Sequence, residues 1–177
     1  MGLIYEPAED SFLFMDFLED CFEGSDVSGK SVLDMGCGSC ILSETLKDLG
    51  FEDVLCVDVN ADAVKLAKGE GFRAIESDLF NNVDERFDYI VFNAPYLPKE
   101  ELEDEESMLA TTGGERGDEV VIKFLEQVKD FLNENGKVYV LVSSLTSMDK
   151  INEYKPEVVA KKNVFFEELK ILKFVFR

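Results

Sequence analysis

Ser31-Val32-Leu33-Asp34-Met35-Gly36-Cys37-Gly38 is a short apolar run that stops on an acid and two glycines. Such a run, bounded by turn residues, reads as a buried strand, and the glycines let the backbone turn sharply and approach a ligand. Ser39 to Leu49 then reads as a helix, with Gly50 as its left-handed cap. Strand, tight turn and helix form the basic unit of a parallel sheet covered on both faces. The alternation continues in both directions. Pro7 to about Phe22 has helical spacing (Phe12, Leu13, Phe14, Phe17, Leu18). Strands are predicted at Asp53 to Asp58, Phe72 to Ile75 and Phe87 to Asn93, with a helix over Ala61 to Lys68 between the first two. The run Tyr89, Ile90, Val91, Phe92 suits a strand buried on both faces. Asp118 to Asn133 reads as a helix, Asn135-Gly136 as a turn into a fifth strand at Lys137 to Val142, and Val158 to Phe166 and Leu169 to Phe176 as extended segments. The expected fold class is α/β.

With 177 residues and no repeat or linker, the chain is expected to form a single domain over 1–177. Lys+Arg number 18 and Asp+Glu 38, a net charge of −20, which argues against direct nucleic-acid binding because phosphate contacts are built from Lys and Arg. Such a charge serves solubility, or attracts a basic protein. The absence of histidine excludes Ser-His-Asp and Cys-His catalysis and His-ligated zinc. Four cysteines (Cys21, Cys37, Cys40, Cys56) are too few for a disulfide framework and fit a reducing compartment. Neither a signal segment nor a membrane span is visible, so the expectation is a cytoplasmic protein with no membrane partner.

The glycine turn is a ligand-binding turn, but not a dinucleotide one, because the third position of a G-x-G-x-x-G fingerprint would fall on Ile41. An acid at its start, Asp34, suits a ligand with an ammonium group. Asp58 ends the second strand, where a carboxylate can take both ribose hydroxyls. Asp78-Leu79 follows the third, where the acid can take an adenine amino proton and the leucine can cover the ring. Each Asp alone reads better as a loop or cap residue; three at successive strand ends reverse that and favour an adenosine-containing cofactor with an amino-acid tail. Asn93-Ala94-Pro95-Tyr96 ends the fourth strand. There the Asn carbonyl can accept from an NH2 group, backbone carbonyls can take a second proton and Tyr96 can pack on a flat group. This combination suits a planar amide or aromatic amine.

At these residues the chain resembles the class I S-adenosylmethionine-dependent methyltransferases with an Asn-Pro-Pro-Tyr motif, and among them the HemK-like glutamine methyltransferases of eukaryotes and archaea. Tyr5-Glu6-Pro7-Ala8-Glu9-Asp10-Ser11 is similar to their N-terminal signature, and Gly113-Gly114 through Gly117-Asp118-Glu119-Val120 to the loop after their catalytic motif. The resemblance implies a Rossmann-like, mostly parallel, twisted seven-stranded sheet with a C-terminal antiparallel strand. It implies S-adenosyl-L-methionine as donor, S-adenosyl-L-homocysteine as product and no metal in this chain. The implied reaction is methylation of the side-chain amide nitrogen (N5) of the glutamine in the Gly-Gly-Gln motif of a class 1 translation release factor. A small zinc-binding activator protein is the implied heterodimer partner. By the same resemblance Ser11, Asp34, Gly36 and Gly38 lie at the donor's amino-acid end, Asp58 at the ribose, Asp78 and Leu79 at the adenine, and Asn93, Pro95 and Tyr96 form the catalytic motif with Asn93 also beside the donor. Ala94 stands where the family motif usually has its first proline.

Other readings share these residues. N6-adenine methylation of DNA or RNA uses the same motif, but the acidic charge opposes it. A non-catalytic subunit could keep the fold and the pocket. Cys37-Gly-Ser-Cys40 could be a redox pair, although small buried residues account for it better. Lys99 to Glu106 holds six acids in eight residues, a solvated loop or a docking site for a basic substrate domain. The strand Phe72 to Ile75 is expected at a sheet edge, where the activator could pair.

Overall fold

The computed structural model describes residues 4–98 and 112–176, so the acidic run Lys99 to Glu106 lies outside the described residues. Seven strands form one sheet in the order β3-β2-β1-β4-β5-β7-β6: β1 (Ser31–Met35), β2 (Asp53–Asp58), β3 (Arg73–Glu76), β4 (Phe87–Asn93), β5 (Leu132–Ser143), β6 (Glu157–Val164) and β7 (Glu167–Phe174). The pairs among β1 to β5 are parallel, and β7 runs antiparallel to both β5 and β6. The strand order reverses between β1 and β4. In open α/β sheets, ligands bind outside the carboxyl ends of the strands at such a switch point.

Successive strand residues point to opposite faces, and both faces are covered. On one, Val32, Val54, Val91, Tyr139 and Leu141 meet Leu13, Phe14, Leu18 and Phe22 of α1 (Glu9–Phe22) and Leu42 and Leu46 of α2 (Ile41–Asp48). α3 (Ala61–Gly69) packs beside β2 and β3, where Ala67 touches a cluster of Cys37, Cys40 and Cys56. On the other, Leu33, Met35, Ile90, Phe92, Val138 and Val140 meet Val121, Phe124 and Leu125 of α4 (Glu119–Gln127). The doubly covered sheet with its antiparallel C-terminal strand is the expected architecture.

Boundaries moved where backbone geometry overrides the hydrophobic pattern. α2 begins at Ile41 instead of Ser39 because Cys40 is left-handed (φ 68°), a conformation that cannot lie inside a helix. Its end is capped as expected: Gly50 adopts φ 98°, and Gly50 N and Phe51 N donate to Lys47 O and Leu46 O. The third strand is Arg73–Glu76, one residue later than Phe72 to Ile75, because Leu55 to Asp58 of β2 set its register. The helix expected to reach Asn133 stops at Gln127, passes through a 3-10 turn (Val128–Phe131), and is replaced from Leu132 by β5. Asn135-Gly136 is not a terminal turn but an irregularity inside β5, with Asn135 at φ 64°; Phe87 pairs with Leu132 while Tyr89 pairs with Lys137. No helix among the described residues is long and apolar enough to cross a membrane.

Phe124 is fully buried, with its ring 5.3 Å from Phe80 and 4.9 Å from Phe92, so it carries α4 onto β4. Phe124→Ala should cost about 3–5 kcal/mol of unfolding free energy, read as a lower urea midpoint at constant slope.

Candidate active site

The carboxyl ends of β1, β2 and β4 open onto a cavity of about 980 Å³, at the upper end of the range of about 300–1,000 Å³ for small-molecule sites. Ser11, Asp34, Gly36, Gly38, Asp58, Asp78, Leu79, Asn93, Pro95 and Tyr96 all line it. The structure therefore brings every predicted site residue to one cavity.

The floor is the turn after β1. Gly36 N and Cys37 N both donate to Val57 O, at 2.7 and 3.1 Å, tying the turn to β2. Gly36 has φ 66°, a conformation that favours glycine, and a Cβ there would press on the Phe92 ring at 3.2 Å. Asp58 closes the turn from the β2 side: its two carboxylate oxygens accept from Gly38 N at 2.9 Å and Asn60 N at 2.8 Å. Burial raises its pKa, partly offset by these N–H groups. Asp34 is 1% exposed and accepts from Ser43 Oγ at 2.6 Å. Desolvation, aided by the nearby Cys56 thiol and Asp58, raises its pKa well above the carboxylate range; the Ser43 hydrogen bond opposes it. A buried acid in that condition gains from a cationic partner.

Asp78 is held differently. It is half exposed and accepts from Lys123 Nζ of α4 at 2.6 Å, an exposed pair that contributes little to stability. Leu79 is buried with φ 50°, a conformation its surroundings must impose. Cys37 and Cys40 are free thiols packed against Cys56, a small-residue cluster behind the turn. Among the described residues no group of three Cys, Asp or Glu is placed to hold a metal ion.

At the end of β4, the Asn93 amide nitrogen donates to Asp10 Oδ2 at 3.2 Å. A carboxylate only accepts, so this contact fixes which end of the amide is nitrogen. Its oxygen, Oδ1, is buried with no hydrogen-bond partner among the described residues. Asp10 also accepts from Tyr5 OH at 3.1 Å, Ser11 N at 2.7 Å and Tyr96 OH at 3.4 Å. Burial first, and then the Asp10 charge, raise the pKa of both phenols, which therefore stay protonated donors. Sequence alone does not mark Asp10 as a site residue. Its only signal was membership of the Tyr5 to Ser11 signature; alone it looks like an ordinary acid in a helix's first turn.

The segment after Asn93 is clamped from outside. Thr146 Oγ1 donates to Tyr96 O at 2.9 Å, Gly113 N donates to Leu97 O at 2.9 Å, and Leu97 pairs with Thr112 as an isolated parallel bridge. A Cβ on Gly113 would lie 2.6 Å from Pro95 O, and one on Gly117 would lie 2.5 Å from Tyr96 O.

A family model for the methyltransferase small domain matches residues 11–166. The chain belongs to that family. This methyltransferase is 39% identical over 96% of its length, and 90% of the relative's, to a Methanocaldococcus jannaschii protein whose name, protein N5-glutamine methyltransferase, is provisional. It is 28% identical to the eRF1 methyltransferase catalytic subunit of Schizosaccharomyces pombe, over 85% of this chain and 77% of that one. Among solved structures, the ribosomal protein L11 methylase of Lactobacillus delbrueckii subsp. bulgaricus superposes with a TM-score of 0.67 at 22% identity, covering 96% of this chain and 80% of the other, a likeness of fold.

As a methyltransferase, the protein takes its methyl group from S-adenosyl-L-methionine, and the cavity's chemistry fits that donor. A desolvated acid, Asp34, matches an ammonium; a second acid, Asp58, stands at the end of β2; and Lys123, which also lines the cavity, is paired with Asp78.

Two outcomes follow from this geometry. Because burial raises the folded-state pKa of Asp34 above its unfolded value, its stabilising share is complete below the ordinary carboxylate pKa and is lost as pH rises through the folded value. Asp34→Asn should therefore resist urea better than the wild type near neutral pH, an advantage that vanishes by about pH 4, in paired denaturation curves. Gly113→Ala should lose at least about 1–3 kcal/mol, and its methyl transfer should fall more than its donor affinity, as measured by calorimetry beside a turnover assay.

Proposed function

We propose that this methyltransferase modifies the side-chain amide nitrogen (N5) of the glutamine in the Gly-Gly-Gln motif of a class 1 translation release factor. The observation that carries the reading is the Asn93 amide, with its nitrogen committed to Asp10 and its buried oxygen, which lines the cavity, unpaired among the described residues. A buried acceptor without a partner is costly in the free protein, and an incoming N–H group removes that cost. The names of the M. jannaschii and S. pombe relatives support glutamine and a release factor as targets.

In this reading Ser11, Asp34, Gly36 and Gly38 hold the amino-acid end of S-adenosyl-L-methionine, Asp58 its ribose, and Asp78 and Leu79 its adenine. When bound, the donor supplies an electrophilic methyl group on a sulfonium sulfur. The chain's own residues supply position. Asn93 Oδ1 accepts one proton of the glutamine NH2, the backbone at Ala94 accepts the other, and Tyr96 packs on the flat amide. Two accepted hydrogen bonds favour positive charge building on nitrogen, and holding the amide in one orientation lowers the entropic part of the barrier. The surplus proton passes to water after transfer, so a histidine-free chain suffices.

The activator pairs with the open edge of β3, Arg73–Glu76, which has one neighbour in the sheet. The S. pombe relative is named a catalytic subunit, in keeping with such a partner. The decisive experiment is mass spectrometry of a release factor incubated with this chain, a zinc-binding activator and the donor. One added methyl on the Gly-Gly-Gln glutamine is expected; an unmodified glutamine, or methyl groups on oligonucleotides instead, overturns the reading. Asn93→Ala should lower turnover by more than about 100-fold while donor affinity changes much less.

A further inference from the structure

Resting on this reading of the site, we infer that Asp10 is a positioning residue for methyl transfer: it locks the Asn93 amide with its oxygen toward the acceptor.

Asp10 is 4% exposed and lies in the first turn of α1, 83 residues from Asn93 in sequence. A buried carboxylate needs several donors to offset its lost hydration. Asp10 has the Tyr5 and Tyr96 hydroxyls, Ser11 N, Ser11 Oγ at 3.3 Å and Asn93 Nδ2. No Lys or Arg is among them. This choice of partners has a chemical consequence. Backbone N–H and Asn Nδ2 can only donate, and the two phenols remain protonated, so the cluster has one polarity. Turning the Asn93 amide over would set its carbonyl oxygen against the carboxylate, a repulsive contact, and would carry its NH2 to where Oδ1 now lies. The locked amide presents an acceptor, which an N–H bearing substrate pairs with. Asp10 does this without touching the reacting atoms.

Tyr96 adds to the lock. Its hydroxyl is held by the same carboxylate while its carbonyl is held by Thr146, so both ends of the residue after Pro95 are fixed. α1 thereby sets the orientation of a side chain on β4, although few residues of the two elements meet directly.

The test is a charge exchange with a readout independent of turnover. Asp10→Asn and Asn93→Asp should each lower kcat by about 10- to 100-fold. In Asp10→Asn the fixed polarity is gone, and in Asn93→Asp two carboxylates face each other. In the double variant the amide at 10 donates to the carboxylate at 93, whose other oxygen is again an acceptor. Its kcat should exceed that of Asn93→Asp by about tenfold or more, and Asp10→Asn should keep the dissociation constant for S-adenosyl-L-homocysteine within about threefold of wild type. A double variant no better than the single, or a constant that weakens in step with kcat in Asp10→Asn, overturns the lock.

Side-chain NMR of the donor-free wild type supplies the second arm. The Asn93 NH2 protons should exchange with solvent at least about tenfold more slowly than those of exposed asparagines, and Asp10→Ala should remove that protection. Unprotected protons in the wild type overturn the inference even where Asp10→Ala does not fold. If the release factor proves not to be the substrate, wild-type turnover on it fails while the NMR arm still decides the lock.

Discussion

The carboxylate of Asp10 gathers donors from three separated parts of the chain: Tyr5 and Ser11 at its beginning, Asn93 at the end of β4, and Tyr96 in the segment beyond. Desolvating a carboxylate is costly, and the cost is recovered only when all donors arrive together. The cluster can thus form only when α1 is seated on the sheet through Leu13, Phe14 and Leu18. Hydrophobic packing drives the helix into place; the buried acid makes that place specific. The geometry of the acceptor side of the cavity follows from this one requirement.

The two sides of the cavity are built on different electrostatic principles. Around Asp10 the charge is saturated by donors and its hydrogen-bonding capacity is used up. Around Asp34 a single hydroxyl faces a fully buried acid whose pKa is driven upward, so the folded chain holds an unmet preference for positive charge. Asp58 lies between, with each oxygen tied to one backbone N–H. Two of these acids, Asp34 and Asp58, come from the carboxyl ends of β1 and β2, whereas Asp10 comes from the first turn of α1.

Much of this was legible in the sequence because it is local. Strand β1, the glycine turn, β2 and β4 were read to the residue, since short apolar runs bounded by glycine and acids leave few alternatives. The convergence of Asp34, Asp58, Asp78 and Asn93 followed from the rule that places ligands at carboxyl ends of strands. What failed depended on distant contacts. Asp118 to Asn133 has a helical pattern followed by Asn135-Gly136, and only the pairing of Leu132 with Phe87 and of Lys137 with Tyr89 turns its end into an irregular strand start. Asp10 was invisible as a site residue because its meaning lies in a partner on β4. The Asp78–Lys123 pair was hidden for the same reason: its lysine belongs to α4.

Ala94 in place of the family's proline has a consequence for how order is distributed in the molecule. It is 2% exposed, but no ring restricts its φ; the path of the chain there is imposed by Thr146, by Leu97 pairing with Thr112 and by glycine backbones pressed against Pro95 and Tyr96. Shape that is borrowed from neighbours is lost when the neighbours part. Ala94 packs in the same buried cluster as Met35 and Phe92, so the order of the segment after β4 is coupled to the packing of the sheet beneath it.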